Sequence, residues 1–290
     1  MPLLSVAPSI QIHYQIDDFT NPWDDRPTLF LQHGNGRSGA FWYKWVPLLA
    51  RDYRIVRVDM RGLGKSSPIE NPSADIHIKD CISDLVKVIE EIKCGPIYFC
   101  GESMGGILGI ILAASHPDLI KGLALVATPV FINQSMKSKY SLGFSSRLEA
   151  MHKMGIEEWV YQTSVIARFP PETNPQLLKW YVKEFSKSAP EVLIHYSDLV
   201  NSANATEFLK DIHCPTIAIM PSNGPITDPA QIQLLEEKIP QLKVATIDSD
   251  FHMIHLTHVE PCVEIVREFL ANLNYYHRLK KISQDFLGLL

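Results

Sequence analysis

A serine in the first half of the chain stands in a pattern that can make it a nucleophile. Ser103 is the centre of the pentapeptide Gly-Glu-Ser-Met-Gly at 101–105, a G-x-S-x-G motif. The apolar run at 96–100 predicts a strand before it, and the apolar stretch at 104–115 predicts a buried helix after it. At such a strand-to-helix turn the hydroxyl is raised above the sheet, beside the free N–H groups of the helix N-terminus. This context favours a nucleophile over the alternative, a glycine-serine turn without chemistry.

A second glycine-rich segment can supply hydrogen-bond donors to the same reaction. The sequence His-Gly-Asn-Gly at 33–36 follows the apolar run at 28–31, which predicts a strand. We expect the backbone N–H groups of Asn35 and Met104 to form an oxyanion hole, because two such donors stabilise the charge that develops on a substrate carbonyl. A plain loop between strand and helix is the alternative. A phosphate-binding loop is less favoured, since the Gly-Lys-Ser/Thr ending is missing.

A histidine late in the chain is placed to act as the base. His252 follows the strand candidate at 243–247, and a neutral imidazole can take the proton of a serine and return it to a leaving group. A metal site is the competing interpretation, because His255 and His258 follow at intervals of three and Asp250 is near. The stretch lacks the order of an HExxH motif, so we expect no metal and interpret His255 and His258 as polar surface or loop residues.

The acid that should orient this histidine is missing from its expected place. In the loop after the predicted strand at 216–220, that place holds Asn223 and Gly224. Asp228 is the only carboxylate in the loop. Three hypotheses remain open: Asp228 reaches back to His252, Asn223 orients the ring without charge, or serine and histidine act as a dyad. Asp228 is equally suited to cap a helix that begins at the proline after it.

The elements that would hold these residues alternate between strand and helix. Short apolar runs rich in β-branched residues are separated by stretches with helical spacing, which is typical of an α/β fold with a parallel sheet covered by helices. The apolar spacing at 75–93 predicts an amphipathic helix, and a further helix is predicted at 261–273. The predicted strands are Thr28–Leu31, Arg54–Val58, Ile97–Cys100, Leu123–Val126, Thr216–Met220 and Lys243–Ile247.

The middle of the chain interrupts this alternation. From 133 to 211 the spacing is helical, prolines break it repeatedly, and no strand-like run occurs. We predict a core formed by 1–132 and 212–290, with a helical cap inserted at 133–211. The aromatic content of the cap favours a pocket for a hydrophobic or aromatic molecule, although each residue by itself could instead pack the cap onto the sheet. These residues are Trp159, Tyr161, Trp180, Tyr181 and Tyr196.

Composition narrows the partners and the compartment. The 290 residues carry 27 basic and 32 acidic side chains, a net charge of -5, without a Lys/Arg run that could track a nucleic acid or an anionic membrane. Five cysteines without a CxxC pair favour free thiols over disulfides or a zinc ribbon. Neither a signal peptide nor a segment as long as a membrane span is recognisable. We expect a soluble cytoplasmic protein with a small-molecule substrate and no cofactor, and a homodimer is compatible with the sequence.

These motifs together resemble the α/β-hydrolase superfamily over nearly the whole chain. The resemblance is carried by Leu-Gln-His-Gly-Asn-Gly-Arg-Ser-Gly at 31–39, Val-Asp-Met-Arg-Gly-Leu-Gly-Lys-Ser-Ser at 58–67 and Gly-Glu-Ser-Met-Gly-Gly at 101–106. The segments look like those of the small-molecule branch that includes 3-oxoadipate enol-lactonases and C–C bond hydrolases. The resemblance implies an eight-stranded, mostly parallel sheet with Ser103 at the top of a central strand and a cap over the pocket.

Three functional hypotheses follow. The first is a cofactor-independent hydrolase of a small, hydrophobic or aromatic ester, lactone or β-diketone-like substrate, working through Ser103 and His252. The second is a lyase, decarboxylase or cyclase on the same fold that uses His252 as acid and base. The third is a ligand-binding protein without turnover, because the charged member of a triad is worth several orders of magnitude in rate and is missing from its usual place.

Overall fold

One eight-stranded sheet forms the centre of the molecule in the computed structural model, which describes residues 2–23, 26–226 and 228–287. The strands are β1 (Leu3–Ala7), β2 (Ile10–Asp17), β3 (Thr28–Gln32), β4 (Arg54–Val58), β5 (Ile97–Glu102), β6 (Ile120–Val126), β7 (Thr216–Pro221) and β8 (Leu242–Ile247). Their order is β1-β2-β4-β3-β5-β6-β7-β8. Strands β3 to β8 run parallel to one another, while β1 and β2 are antiparallel to their neighbours. The predicted fold class, a mostly parallel eight-stranded α/β sheet, is confirmed.

The two antiparallel strands lie at one edge of the sheet and are the two that strand patterns in the sequence did not identify. They form a hairpin around Pro8 and Ser9, and Ser9 has a φ of +63°. Only part of each strand is buried, so neither shows the continuous apolar run of a strand covered on both faces. The six predicted strands, in contrast, are the six parallel ones; five of them are largely buried, and β8, at the opposite edge of the sheet, is only partly buried.

The helices connect the strands and cover both faces of the sheet. Helix α3 lies inside the predicted range of 75–93, whereas the helix predicted at 261–273 is longer than expected. Among the described residues, no helix combines the length and the apolar character that crossing a membrane would need. The helices are α1 (Val46–Leu49), α2 (Pro72–Asp75), α3 (Ile78–Glu91), α4 (Met104–Ser115), α5 (Gln134–Ser141), α6 (Arg147–Met154), α7 (Ile156–Thr163), α8 (Pro175–Phe185), α9 (Pro190–Ser202), α10 (Pro229–Lys238), α11 (Ile254–Thr257) and α12 (Val259–Leu287).

Alternate residues of the central strands enter two apolar layers, one on each face of the sheet. On one face, Phe30 and Phe99 pack with residues of α3 and α4. On the other face, Leu29 and Tyr98 pack with residues of α1 and α12. The alternation follows from the two-residue period of a strand. The central strands are therefore held rigidly from both sides, and the loops at their carboxyl ends have a fixed base.

The chain leaves the sheet after β6 and returns to the neighbouring strand β7 after five helices. Leu123 of β6 pairs with Thr216 of β7, so helices α5 to α9 are inserted between two adjacent strands. This is where the sequence predicts the cap at 133–211. The division into core and cap stays a prediction, and residues 1 and 288–290 of the predicted core lie outside the described part of the chain. Trp159 and Tyr181 are fully buried, whereas Tyr161 is 45% exposed.

A buried ion pair ties the loop after β4 to α3. Arg61 Nε and Nη2 each donate to one carboxylate oxygen of Asp84, both at 2.7 Å. Both side chains are buried. Tyr196 of α9 also donates from its hydroxyl to the Arg61 carbonyl at 3.0 Å, so the same loop contacts the inserted helices.

We expect Asp84→Leu to lower the free energy of unfolding by about 3–5 kcal/mol, because the Arg61 charge would stay buried without a partner. The double variant Arg61→Met with Asp84→Leu removes both charges and should recover most of that loss. Urea denaturation followed by circular dichroism measures both variants. A double variant as unstable as the single one would contradict the electrostatic explanation.

Candidate active site

Ser103 occupies the sharp turn between β5 and α4. Its backbone has φ +54° and ψ −119°, a strained conformation for a residue with a side chain. The Ser103 N–H donates to the carbonyl of Val126 in the neighbouring strand at 3.0 Å, which anchors the turn to the sheet. Ser103 is the residue immediately before the first turn of α4, so the predicted strand-turn-helix context of the G-x-S-x-G motif is present.

The glycines of this motif are explained by how closely the backbone segments approach one another. A Cβ on Gly101 would overlap the backbone of Gly105, and a Cβ on Gly105 would lie 2.6 Å from the carbonyl oxygen of His33. Neither glycine has a positive φ. Glycine is therefore required at both positions because a side chain would not fit. The absence of a side chain lets the 33–36 loop pack directly against the start of α4.

His33 fixes the conformation of the predicted oxyanion loop. Its Nδ1 lies 2.8 Å from the Gly34 carbonyl oxygen, and its Nε2 lies 3.1 Å from the N–H of Met60. Nε2 must therefore accept, so the ring is neutral with its proton on Nδ1. Burial lowers the pKa of His33, which agrees with this neutral form.

The loop that holds Asn35 packs against the start of α4, where Met104 follows the serine. Met104 directly follows Ser103 at the start of α4, and within the described residues no backbone acceptor pairs with the N–H of Met104 or of Asn35. The Asn35 side chain donates to Ser197 of α9 at 3.2 Å. The two N–H groups therefore remain available to a ligand, and Asn35 also links the loop to the inserted helices.

Glu102, the residue before Ser103, is fully buried and forms an ion pair with Arg37. The distance from Arg37 Nη2 to Glu102 Oε2 is 2.5 Å. Burial by itself would raise the pKa of Glu102, but Arg37 and two nearby histidines hold it well below its usual range. A Cβ on Gly34 would overlap Arg37 and lie 2.6 Å from Glu102 Oε2, so glycine is required where the pair passes under the oxyanion loop.

His252 is buried and lies against the same carboxylate. Its Nε2 is 3.3 Å from Glu102 Oε1, which is an ion-pair distance, although the alignment falls short of a hydrogen bond. Nδ1 has no partner among the described residues. Burial lowers the pKa of His252; Glu102 opposes this shift, and Arg37 and Arg168 add to it. His252 is therefore predominantly neutral at pH 7 and able to accept a proton.

The inserted helices also hold the His252 loop. The N–H of His252 donates to the Ala167 carbonyl and the N–H of Met253 donates to the Arg168 carbonyl, both at 3.0 Å. Ala167 and Arg168 belong to a short π-helix at Ser164–Arg168, after α7. The position of the histidine thus depends on contacts with a segment far away in the sequence.

Asp228 forms its hydrogen bonds with groups other than His252, which corrects the expectation that it contacts this histidine. Its Oδ1 accepts from the N–H of Gln231 at 2.9 Å, so it caps α10, and its Oδ2 accepts from the Asn133 side chain at 3.0 Å. Asn223 donates to the exposed Asp250 at 2.8 Å instead of orienting the histidine. The carboxylate that contacts His252 is Glu102.

His255 is buried, so its interpretation as a polar surface or loop residue is wrong. Its ring lies 5.3 Å from that of Trp42, and burial lowers the pKa of His255 to about 4. His258 is half-buried, and its Nδ1 lies 2.9 Å from the Thr257 hydroxyl. Within the described part of the chain, no three His, Cys, Asp or Glu side chains are grouped to hold a metal ion.

Sequence reasoning missed Glu102 and Arg37 as members of the site. Glu102 occupies a variable position of the motif, and Arg37 follows the glycine-rich loop as an apparently ordinary polar residue. One signal was available, since a glutamate that ends an apolar strand covered on both faces has to be buried and needs a cationic partner. Which of the basic residues supplies it depends on the tertiary structure.

Known proteins share this architecture. A family model described as alpha/beta hydrolase fold matches residues 27–259. The chain is 25% identical to a pimeloyl-[acyl-carrier protein] methyl ester esterase from Aeromonas hydrophila, over 84% of this chain and 96% of that protein. It is 22% identical to 3-oxoadipate enol-lactonase 2 from Acinetobacter baylyi, over 81% and 84%. The crystal structure of the enol-lactonase from Burkholderia xenovorans LB400 superimposes with a TM-score of 0.81 at 23% identity, covering 93% of this chain and all of that one.

Two substitutions separate the roles of Glu102 and Asp228. Glu102→Gln removes the charge that raises the pKa of His252, so the pKa of that ring should fall further below 6.5. Asp228→Ala removes a helix cap, so it should lower the free energy of unfolding by about 0.5–2 kcal/mol and leave the His252 pKa unchanged. A pH titration of the histidine ring signals by NMR, with a urea denaturation curve for each variant, measures both effects. A His252 pKa that responds to Asp228→Ala and not to Glu102→Gln would contradict this assignment.

Proposed function

The chain belongs to the α/β-hydrolase fold family, and we propose that it is a cofactor-independent hydrolase of a small ester, lactone or β-diketone-like substrate. Ser103 is the nucleophile and His252 is the base. The observation that carries this proposal is the strained turn at Ser103, φ +54°, at the start of a buried helix. Such strain persists only where the surrounding structure enforces it, and it is characteristic of functional sites.

The reaction divides into two steps. Ser103 Oγ attacks the substrate carbonyl while His252 takes the hydroxyl proton, and the N–H groups of Asn35 and Met104 stabilise the resulting oxyanion. The intermediate then collapses, the bond to the leaving group breaks, and His252 returns the proton to that group. Water, deprotonated by His252, attacks the acyl-enzyme; the bond to Ser103 Oγ then breaks, His252 returns the proton to Oγ, and the acid is released. Because His252 Nε2 faces Glu102, we assign proton transfer to Nδ1, for which the described residues offer no hydrogen-bond partner.

Glu102 is the positioning residue in this mechanism. When His252 takes the proton, an imidazolium forms in a buried environment, where a neighbouring negative charge is the main source of stabilisation. Glu102 lies 3.3 Å from the ring and remains ionised because Arg37 pairs with its other oxygen. The same Arg37 offsets part of the negative charge, so this carboxylate supports the imidazolium less strongly than an unpaired one would.

Cap residues next to the oxyanion loop support an apolar substrate. The Phe185 ring lies so close to Gly36 that a Cβ there would overlap it, which places an aromatic side chain directly beside the loop of Asn35. Phe185 continues into a cluster with Tyr181, at a centroid distance of 6.2 Å, and Trp159, at 6.3 Å. A substrate bound between this cluster and Ser103 would contact mainly aromatic carbon, which favours a hydrophobic or aromatic acyl group.

A fluorophosphonate probe tests the nucleophile directly. Wild-type protein should be labelled at Ser103 and should hydrolyse short-chain p-nitrophenyl esters, because the activated hydroxyl attacks both compounds. Ser103→Ala and His252→Ala should each lose labelling and lower kcat by about 10³-fold or more. Peptide mass spectrometry locates the label, and ester hydrolysis is followed by absorbance. If Ser103 is not labelled and none of the esters is hydrolysed, the proposal is contradicted.

Glu102→Gln tests the positioning role. We expect kcat to fall by about 10²–10⁴-fold, because the imidazolium loses its charged partner, while KM changes little. The acid limb of the kcat/KM profile should also move to lower pH, since the pKa of His252 falls when the carboxylate is removed. Asp228→Ala is the matched control and should keep the wild-type rate and profile. A Glu102→Gln variant with unchanged kcat and an unchanged profile would remove Glu102 from the mechanism.

A further inference from the structure

Three arginines are buried around the candidate active site, and one of them forms an ion pair with a carboxylate. Arg37, Arg168 and Arg147 are 4%, 3% and 8% exposed. Among the described residues, Glu102 is the carboxylate that pairs with Arg37, and neither Arg168 nor Arg147 forms an ion pair. The cluster therefore carries an excess of positive charge away from water, which is costly unless an anion balances it.

Arg168 is held in place by neutral groups. Its Nη1 donates to the Val160 carbonyl at 3.2 Å and to the hydroxyl of Thr163. The guanidinium carbon lies 5.0 Å from the centre of the Trp159 ring and 5.3 Å from that of Tyr140, within cation–π range. These contacts orient the guanidinium without neutralising its charge.

Fewer hydrogen-bond acceptors surround the buried charge of Arg147 than surround that of Arg168. Its Nε and Nη1 are buried and have no hydrogen-bond partner among the described residues. Its guanidinium carbon lies 4.8 Å from the Tyr140 ring and 5.5 Å from the Trp159 ring, the same two rings that Arg168 faces. Burial lowers the pKa of Arg147 to about 10, and the charges of Arg168 and Arg37 contribute, so the side chain is still charged at pH 7.

The cluster is continuous with the catalytic residues. Tyr181 accepts a hydrogen bond from Arg37 Nη1 at 3.3 Å, and the Tyr181 ring lies 5.9 Å from the Arg168 guanidinium. The Arg168 carbonyl accepts from the N–H of Met253, the residue after His252. Positive charge thus extends from the Glu102 pair, past His252, into the cap as far as Arg147.

We propose that Arg147 and Arg168 bind a free carboxylate that the substrate carries in addition to the carbonyl attacked by Ser103. A carboxylate fits because guanidinium groups bind this planar anion with charge-assisted hydrogen bonds, and two Arg147 donors have no partner within the described part of the chain. This rests on the proposed hydrolase function and narrows it to monoesters or lactones of carboxylic diacids. Hydrolysis of such a monoester adds water across the ester bond and yields an alcohol and a dicarboxylate.

Matched esters test the substrate class. Monomethyl glutarate and methyl pentanoate have the same ester and chain, and differ in a terminal carboxylate against a methyl group. Wild type should favour the anionic ester by about tenfold or more in kcat/KM, as expected for a charge-assisted hydrogen bond. Arg147→Met should lose most of this preference. Arg51→Met, which changes an exposed arginine, is the control and should keep it.

Binding of glutarate tests the anion site without requiring turnover. Isothermal titration calorimetry should show binding to wild type and to Arg51→Met, and binding at least about tenfold weaker to Arg147→Met. Arg147→Lys keeps the positive charge but lacks the planar guanidinium that can bind a carboxylate through two hydrogen bonds, so its affinity for glutarate should be intermediate. Thermal melts show whether each variant is folded. Arg147→Met is expected to melt no lower than wild type, because it removes a buried charge that forms no ion pair with any described residue.

The outcomes separate the two proposals. Glutarate that fails to bind, or that binds wild type and both Arg147 variants equally, overturns the anion site even if Ser103 is labelled and esters are hydrolysed. A labelled, active protein without preference between the two esters also overturns it. Binding of glutarate that depends on Arg147, in a protein whose Ser103 is unlabelled and which hydrolyses neither ester, supports the anion site and rejects the hydrolase function.

Discussion

The buried ion pair between Glu102 and Arg37 is the interaction on which the arrangement of the candidate site depends. It joins the residue before the nucleophile to the loop that supplies the predicted oxyanion donor, and it passes so close to Gly34 that no side chain fits there. His252 lies against the free oxygen of the same carboxylate. One buried negative charge therefore fixes the relative positions of strand end, loop and histidine, because each would lose its electrostatic partner if it moved.

The carboxylate next to His252 has a different position from that of the acid in a usual triad. In the usual triad, the acid comes from a separate loop and serves the histidine alone. Here the proposed acid is the neighbour of the nucleophile, and it shares its charge between Arg37 and His252. A carboxylate at the end of β5 is adjacent to Ser103 in the chain and contacts His252 in space, so one charge links the elbow to the histidine. In the proposed mechanism, the strength of the base therefore also depends on Arg37, the residue directly after the 33–36 loop.

The inserted helices contribute to the site in a second way, through charge. They position the His252 loop with two backbone hydrogen bonds, and they place Arg168 and Arg147 on the aromatic rings of the cap. Aromatic rings orient a guanidinium but do not neutralise it. In the part of the chain that the structure describes, these two cations have no carboxylate partner, and a cation beside aromatic carbon is suited to a molecule that has an apolar body and an anionic end. The aromatic rings and the buried arginines therefore lie together in the inserted segment.

The sequence by itself determined the parallel strands, the elbow at Ser103, the glycine-rich loop at 33–36 and the late histidine. These features are local, since they depend on the periodicity of apolar residues and on motifs that are contiguous in the chain. Strand patterns in the sequence did not identify the edge strands β1 and β2, because these strands are only partly buried and lack a continuous apolar run.

The partner of His252, the burial of His255 and the positive charge around the site were decided only by the tertiary structure. Glu102 and His252 are far apart in the chain, and Arg37, Arg147 and Arg168 come from three separate segments. Asp228 was predicted because it is the only carboxylate in the expected loop. In the structure, one of its oxygens caps α10 and the other accepts a hydrogen bond from Asn133. Pairings between distant charges depend on which side chains the fold buries together, and the free energy of a buried charge is set by its neighbours in space and not by those in sequence.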